Sequence, residues 1–234
     1  TVAIGKSSLS ALTSGAGNVA VGYQSLDAIT TQSSNTAVGT SAGGALTSAQ
    51  NVAIGTQAMQ THSTGGNNIA IGNIAMYDTN QSAETLASTE NIFIGNASGS
   101  GTWTTAACNY NVAVGNNTMD AAMNGALQNT AVGHSSLSAI TTGDGNVALG
   151  AYAGSSLTTG MSNVAVGASD GVTAGAMRLS TDADQCVAIG TGSLAAVATQ
   201  DGTVAVGYKS LSTLTSGANN VAVGFESGKV LTTG

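Results

Sequence analysis

Residues 18–39 read NVAVGYQSLDAITTQSSNTAVG, and the pentapeptide at 18–22 returns almost unaltered at 35–39. Between the two copies lie an aliphatic pair, Leu26 and Ile29, and a polar turn from Thr30 to Ser34. The same motif, Asn-[Val/Ile/Thr]-Ala-[Val/Ile/Leu]-Gly, places its glycine at Gly5, Gly22, Gly39, Gly55, Gly72, Gly95, Gly115, Gly133, Gly150, Gly167, Gly190, Gly207 and Gly224. Neighbouring glycines are mostly 16 to 18 residues apart, with longer intervals of 23 (Gly72 to Gly95), 20 (Gly95 to Gly115) and 23 (Gly167 to Gly190). Self-similarity at a short fixed period is the signature of stacked coils, in which each unit buries its apolar face only against its neighbours. The sequence therefore predicts an all-β fold, a parallel β-solenoid or β-roll of about thirteen coils, one per repeat of about 17 residues. It forms one continuous array over residues 1–234, interrupted by insertions at 73–90, 96–110 and 168–185.

Each column of the repeat has a physical reading. Asparagine opens ten copies, at Asn18, Asn35, Asn51, Asn68, Asn91, Asn111, Asn129, Asn146, Asn163 and Asn220. Stacked at one position, these side chains are expected to form a structural amide ladder. Positions two and four are mostly Val or Ile, and position three is Ala except at Phe93. Alternation with period two puts the aliphatics on one face of a short strand and Ala on the other. The aliphatic face is expected in the core. The Ala face suits close approach of a second chain or second layer, or else is a crowded strand tolerating exposure.

The second half of a copy carries two aliphatic columns, as in Leu9 and Leu12, Leu137 and Ile140, or Leu211 and Leu214, with Gly43, Gly154 and Gly228 replacing the first. It reads as a second strand or an irregular corner. The repeat glycine serves a corner of positive φ or a close backbone approach.

Composition narrows the function. Charged residues are 6% and aromatics 3%, proline is absent, and the net charge is −7. Four Lys and Arg cannot track a phosphate backbone, so nucleic acid is not an expected partner. They are too few for a polybasic membrane patch, and no 18-residue apolar run exists to insert in a bilayer. The chain opens on a strand and stops at a turn, with no capping segment at either end. The expectation is an internal segment of a longer fibre.

The motif Asn-Val-Ala-[Val/Ile]-Gly with small-residue turns resembles the head repeats of trimeric autotransporter adhesins. The longer stretches at 18–39 and at 203–224, TVAVGYKSLSTLTSGANNVAVG, are also similar to repeats of bacteriophage tail fibres. The adhesin repeat is shorter than this one. The resemblance covers nearly the whole chain. It implies an extracellular structural fibre segment, on a virion or a bacterial surface, with three copies side by side. Such a segment acts as a rigid spacer and attaches to a host-surface glycan or protein.

No catalytic constellation recurs, and no enzyme activity, cofactor or metal is expected. His62 falls in an aliphatic column and His134 follows a repeat glycine, in different coils. Glu84 and Glu90, and Asp182 with Asp184, read as loop-solvating carboxylates rather than acid–base or cation sites. Asp144 and Asp201 occupy corresponding turns, but other copies carry Ala, Ser or Asn there, which argues against a calcium ladder. Cys108 and Cys186 stand five copies apart, too far in a straight solenoid for a disulfide.

The insertions are where recognition could concentrate, with Tyr77, Trp103, Tyr110 and Arg178 as candidate surface groups; the alternative is that these loops pack on their own coils. A second functional reading, a monomeric ice-binding solenoid, rests on recurring threonines such as Thr13, Thr30, Thr141 and Thr215. Those threonines precede a turn rather than alternating on a strand, which weighs against it.

Overall fold

The computed structural model describes residues 1–77, 87–104, 106–196 and 201–233. It contains thirteen three-residue strands, one per repeat. They are β1 (Val2–Ile4), β2 (Val19–Val21), β3 (Thr36–Val38), β4 (Val52–Ile54), β5 (Ile69–Ile71), β6 (Ile92–Ile94) and β7 (Val112–Val114). The series continues with β8 (Thr130–Val132), β9 (Val147–Leu149), β10 (Val164–Val166), β11 (Val187–Ile189), β12 (Val204–Val206) and β13 (Val221–Val223). The chain packs as two compact units, Thr1–Gly125 and Ala126–Gly234. In the first, β1 to β7 pair parallel in chain order; in the second, β8 to β13 do the same. Register is strict: Val19 pairs with Thr36, Ala20 with Ala37 and Val21 with Val38. The fold is the parallel β-solenoid that the repeat predicts.

The strand faces are the reverse of the sequence expectation. The central residue of every strand from β2 to β13 is buried, while the flanking Val, Ile, Thr and Leu are half-buried or exposed. The Ala column therefore lies inside each coil and is no contact for a second chain; it does meet a second layer, the opposite wall of its own coil. The reason is the narrowness of the coil. Leu26, Ile29, Met59, Leu137 and Ile140, all fully buried, fill the interior from the second half of the repeat. Only a methyl group remains to be accommodated on the strand.

Phe93 shows the same constraint from the other side. It replaces the inner Ala of β6, and the opposing column falls to glycine at Gly99. A Cβ on Gly99 would lie 2.5 Å from Phe93 Cδ1. One large side chain crosses the coil where two smaller ones normally meet.

The second half of each repeat is an irregular corner of successive turns, not a second strand. Two of its residues adopt left-handed backbone. In the second coil these are Gln24 (φ 52°) and Leu26 (φ 50°), and in the eighth Ser135 (φ 51°) and Leu137 (φ 48°). Left-handed conformation costs an ordinary residue roughly 1–2 kcal/mol, which burial of the Leu side chain offsets. This explains the interchange of Leu, Met and Gly in that column, since glycine takes such φ freely.

The repeat glycines combine both roles expected of them. Gly55 has φ +131°, and a Cβ there would lie 2.3 Å from the carbonyl oxygen of Gly72 in the next coil.

The asparagines are buried inside the coils rather than along an outer edge. The Asn18 side-chain oxygen accepts the Asn35 backbone N–H at 3.0 Å, and its amide donates to the Gln32 carbonyl at 2.7 Å. The pattern repeats from Asn35 to Asn51, Asn68, Asn91 and Asn111 in the first unit. In the second it runs from Asn129 through Asn146 and Asn163 to the Cys186 N–H. There the ladder stops, because Cys186 and Thr203 occupy the position. Asn220 is half-buried and donates only within its own turn, to the Gly217 carbonyl at 3.1 Å. A buried serine adds a further rung: Ser25 Oγ donates to the Ala37 carbonyl at 3.1 Å, as Ser210 does to Ala222.

Candidate binding surfaces

Two outward columns of aliphatic side chains follow from the inverted strand faces. On β3 Val38 is 37% exposed, and on β9 Val147 and Leu149 are 40% and 49% exposed, whereas the Ala residues between such pairs are sealed. In-register pairing lays the pairs directly above one another. The first unit thus carries a double row from Val2 and Ile4 to Val112 and Val114, and the second one from Thr130 and Val132 to Val221 and Val223. Thr36 and Thr130 are the only polar members. Soluble monomers rarely leave contiguous apolar rows of this kind uncovered.

The four candidate recognition residues have separate fates. Trp103 is not a surface group: it is fully buried and tilts against Phe93 with ring centroids 5.7 Å apart. Its ring lies in the interior against Phe93 rather than on the surface. Tyr110 is 51% exposed, on the left-handed residue before Asn111. Arg178 lies over the Tyr152 ring at 5.2 Å, and His134 meets the same ring edge-on. These three side chains come from three successive copies and hold one another in place. Tyr77 lines a groove. Residues 78–86, including Glu84, lie outside the described residues.

That groove has a volume of about 430 Å³ on the first unit. It opens where the fifth residue after the repeat glycine runs Asp27, Gly44, Gln60 and Tyr77 in successive copies. At Gly44 a side chain is missing from the column, and an added Cβ would meet nothing nearer than 3.5 Å. Gln57 Nε2 donates to Gln60 Oε1 at 2.8 Å and so fixes that amide with its NH2 free to turn outward. The Thr61 hydroxyl donates to the Tyr77 backbone carbonyl. Among the described residues, the Asp27 carboxylate, the Gln24 amide and the Tyr77 hydroxyl have no hydrogen-bond partner.

Of the carboxylates weighed as cation ligands, Asp182 accepts the Thr181 hydroxyl at 3.1 Å and the others hold backbone. Asp144 accepts the Leu127 N–H at 2.7 Å, Asp184 the Met161 N–H at 2.7 Å and Asp201 the Asp184 N–H at 3.0 Å. Asp170 ties its own loop, accepting from Val172 and Thr173, and these backbone bonds pull its carboxyl below the ordinary value. Among the described residues, no group of three His, Cys, Asp or Glu side chains is placed to hold a metal.

His62 is fully buried, its Nε2 3.2 Å from both the Gly65 carbonyl and Asn68 Nδ2. Burial pushes its imidazole down to about 4. Both cysteines are buried and neither forms a disulfide among the described residues, and burial raises the Cys186 thiol.

Comparison with protein-family models, with curated proteins and with solved structures found no match. The resemblance to adhesin heads and tail fibres therefore rests on the repeat residues alone.

Proposed function

We propose that this chain is a structural segment of an extracellular fibre of the phage tail-fibre or bacterial-adhesin kind. Copies lie side by side through their outward aliphatic columns, giving a rigid spacer that carries the fibre's contact with a host surface. The observation behind this reading is the double row of outward Val, Ile and Leu. A row that repeats at the coil spacing, about 4.8 Å, is matched over its length by a surface of the same period. A second copy of this chain supplies one. The number three comes from the repeat resemblance.

The role asks for no catalysis, and Asp144, Asp184 and Asp201 are engaged in holding successive coils together. The ice-binding alternative draws no support from the threonine column. Thr13, Thr141 and Thr215 donate their hydroxyls to carbonyls of the next coil at 2.9 to 3.0 Å.

The test is to place charge in the outward row of the first unit with Ile54→Glu, Ile71→Glu and Ile94→Glu together. The expected result is an unchanged circular dichroism spectrum and a smaller particle on sedimentation. An unchanged particle size in the folded triple variant would remove this face as the assembly surface.

A further inference from the structure

The groove between Asp27 and Tyr77 is the surface feature that no structural role absorbs. Many polar side chains elsewhere are spent on the next coil, as in the Asn ladder, the Ser25 and Ser210 rungs, the Thr13, Thr141 and Thr215 hydroxyls and Asp144, Asp184 and Asp201. Here the side chains of Asp27, Gln24 and Tyr77 make no hydrogen bond among the described residues, and Gln60 has its side-chain oxygen occupied by Gln57. The volume of about 430 Å³ falls in the range of small-molecule sites.

We propose that this groove is a subsite for a neutral saccharide unit. A carboxylate acceptor beside amide groups can hold vicinal hydroxyls from both their donor and acceptor sides. Tyr77 adds an aromatic ring with a polar tip, suited to a ligand with one apolar and one hydroxylated face. Phosphate, sulfate and sialic acid are disfavoured, because Asp27 is the one charged group lining the groove among the described residues and the whole chain is at −7. An apolar ligand would leave the carboxylate and amides desolvated without partners, which costs more than it gains. Among the described residues the groove has one carboxylate, which does not make a cation site.

Gly44 provides the decisive variant. It lies outside the left-handed region and an added Cβ would make only ordinary contacts, at 3.5 Å or more, and the same column holds Asp27, Gln60 and Tyr77 in adjacent coils. Gly44→Gln is therefore tolerated by the fold while it fills the groove.

The experiment probes an array of neutral hexose and N-acetylhexosamine oligosaccharides, with sialylated and sulfated counterparts, using the full chain. Gly44→Gln and Asp27→Ala are compared with Ser155→Gln, the same column in the second unit, after circular dichroism shows all three folded. The expected result is binding to at least one neutral glycan, weakened about tenfold or more by both groove variants and unaffected by Ser155→Gln. Failure to bind any neutral glycan, binding confined to charged glycans, or binding that survives Gly44→Gln each overturns the proposal. The readout needs only one folded chain, so it stands or falls separately from the assembly of copies.

Discussion

The side-chain oxygen of Asn146 accepts the backbone N–H of Asn163, one coil further on, at 3.0 Å, while its amide donates to the Gly160 carbonyl at 2.8 Å. One buried side chain thus satisfies a donor and an acceptor of a neighbouring coil. Asn146→Ala leaves both unpaired in the interior, at about 1–3 kcal/mol each. We expect a loss of about 2–5 kcal/mol in chemical denaturation. The exposed Lys6→Ala, outside this ladder and at a residue without left-handed backbone, is expected to change stability by less than about 0.5 kcal/mol.

Phe93 and Gly99 share one volume. Phe93→Ala alone opens a cavity and removes the ring against which Trp103 packs, at about 3–5 kcal/mol. Gly99→Met alone places a side chain into the Phe93 ring. Together they recreate the pairing of Ala70 with Met76 in the preceding copy. A double-mutant cycle should show the pair less destabilised than the sum of the single variants by at least about 1 kcal/mol; strict additivity would show that the two positions do not compete for space.

Gly55→Ala is expected to be severe for its chemistry. The residue has φ +131° and the new methyl group would enter the Gly72 carbonyl at 2.3 Å, so both backbone strain and a collision with main chain arise. The loss should exceed about 2 kcal/mol in thermal or denaturant unfolding. Gly44→Ala meets neither condition and should be within about 0.5 kcal/mol of the parent.

His62 gives the first unit a pH dependence of definite sign. Its folded value of about 4 lies below the unfolded 6.5, so the unfolded chain binds the proton first. The stability contributed by neutral His62 is fully present above pH 6.5, falls between 6.5 and 4, and is lost below that window. The gap corresponds to about 3 kcal/mol. His62→Leu, which installs the residue that Leu46 supplies in the preceding copy, should flatten the unfolding profile across this window.

The period, the Asn and Gly columns and the solenoid itself are legible in the sequence because each requires one residue type at one place. Only asparagine both accepts and donates in the required directions, and only glycine survives the approach of the next coil. Which strand face turns inward is not legible from alternation, since period two defines two faces without naming the core. Aliphatic size suggested the Val and Ile face, yet the coil is too narrow for it. A hint of the true inner face was Phe93, a large residue among alanines with glycine opposite at Gly99, although Gly43, Gly154 and Gly228 stand opposite ordinary alanines in the same column. The groove was readable only after the fifth residue beyond each repeat glycine was set in register, when Gly44 stands out between Asp27 and Gln60.

The mass of the soluble particle, measured by sedimentation equilibrium on the unmodified chain, tests the central proposal most directly. Three copies of the 22.5 kDa chain, about 68 kDa, is the predicted result. A single species at 22.5 kDa across the concentration range would contradict it, leaving the outward aliphatic rows without the partner proposed for them.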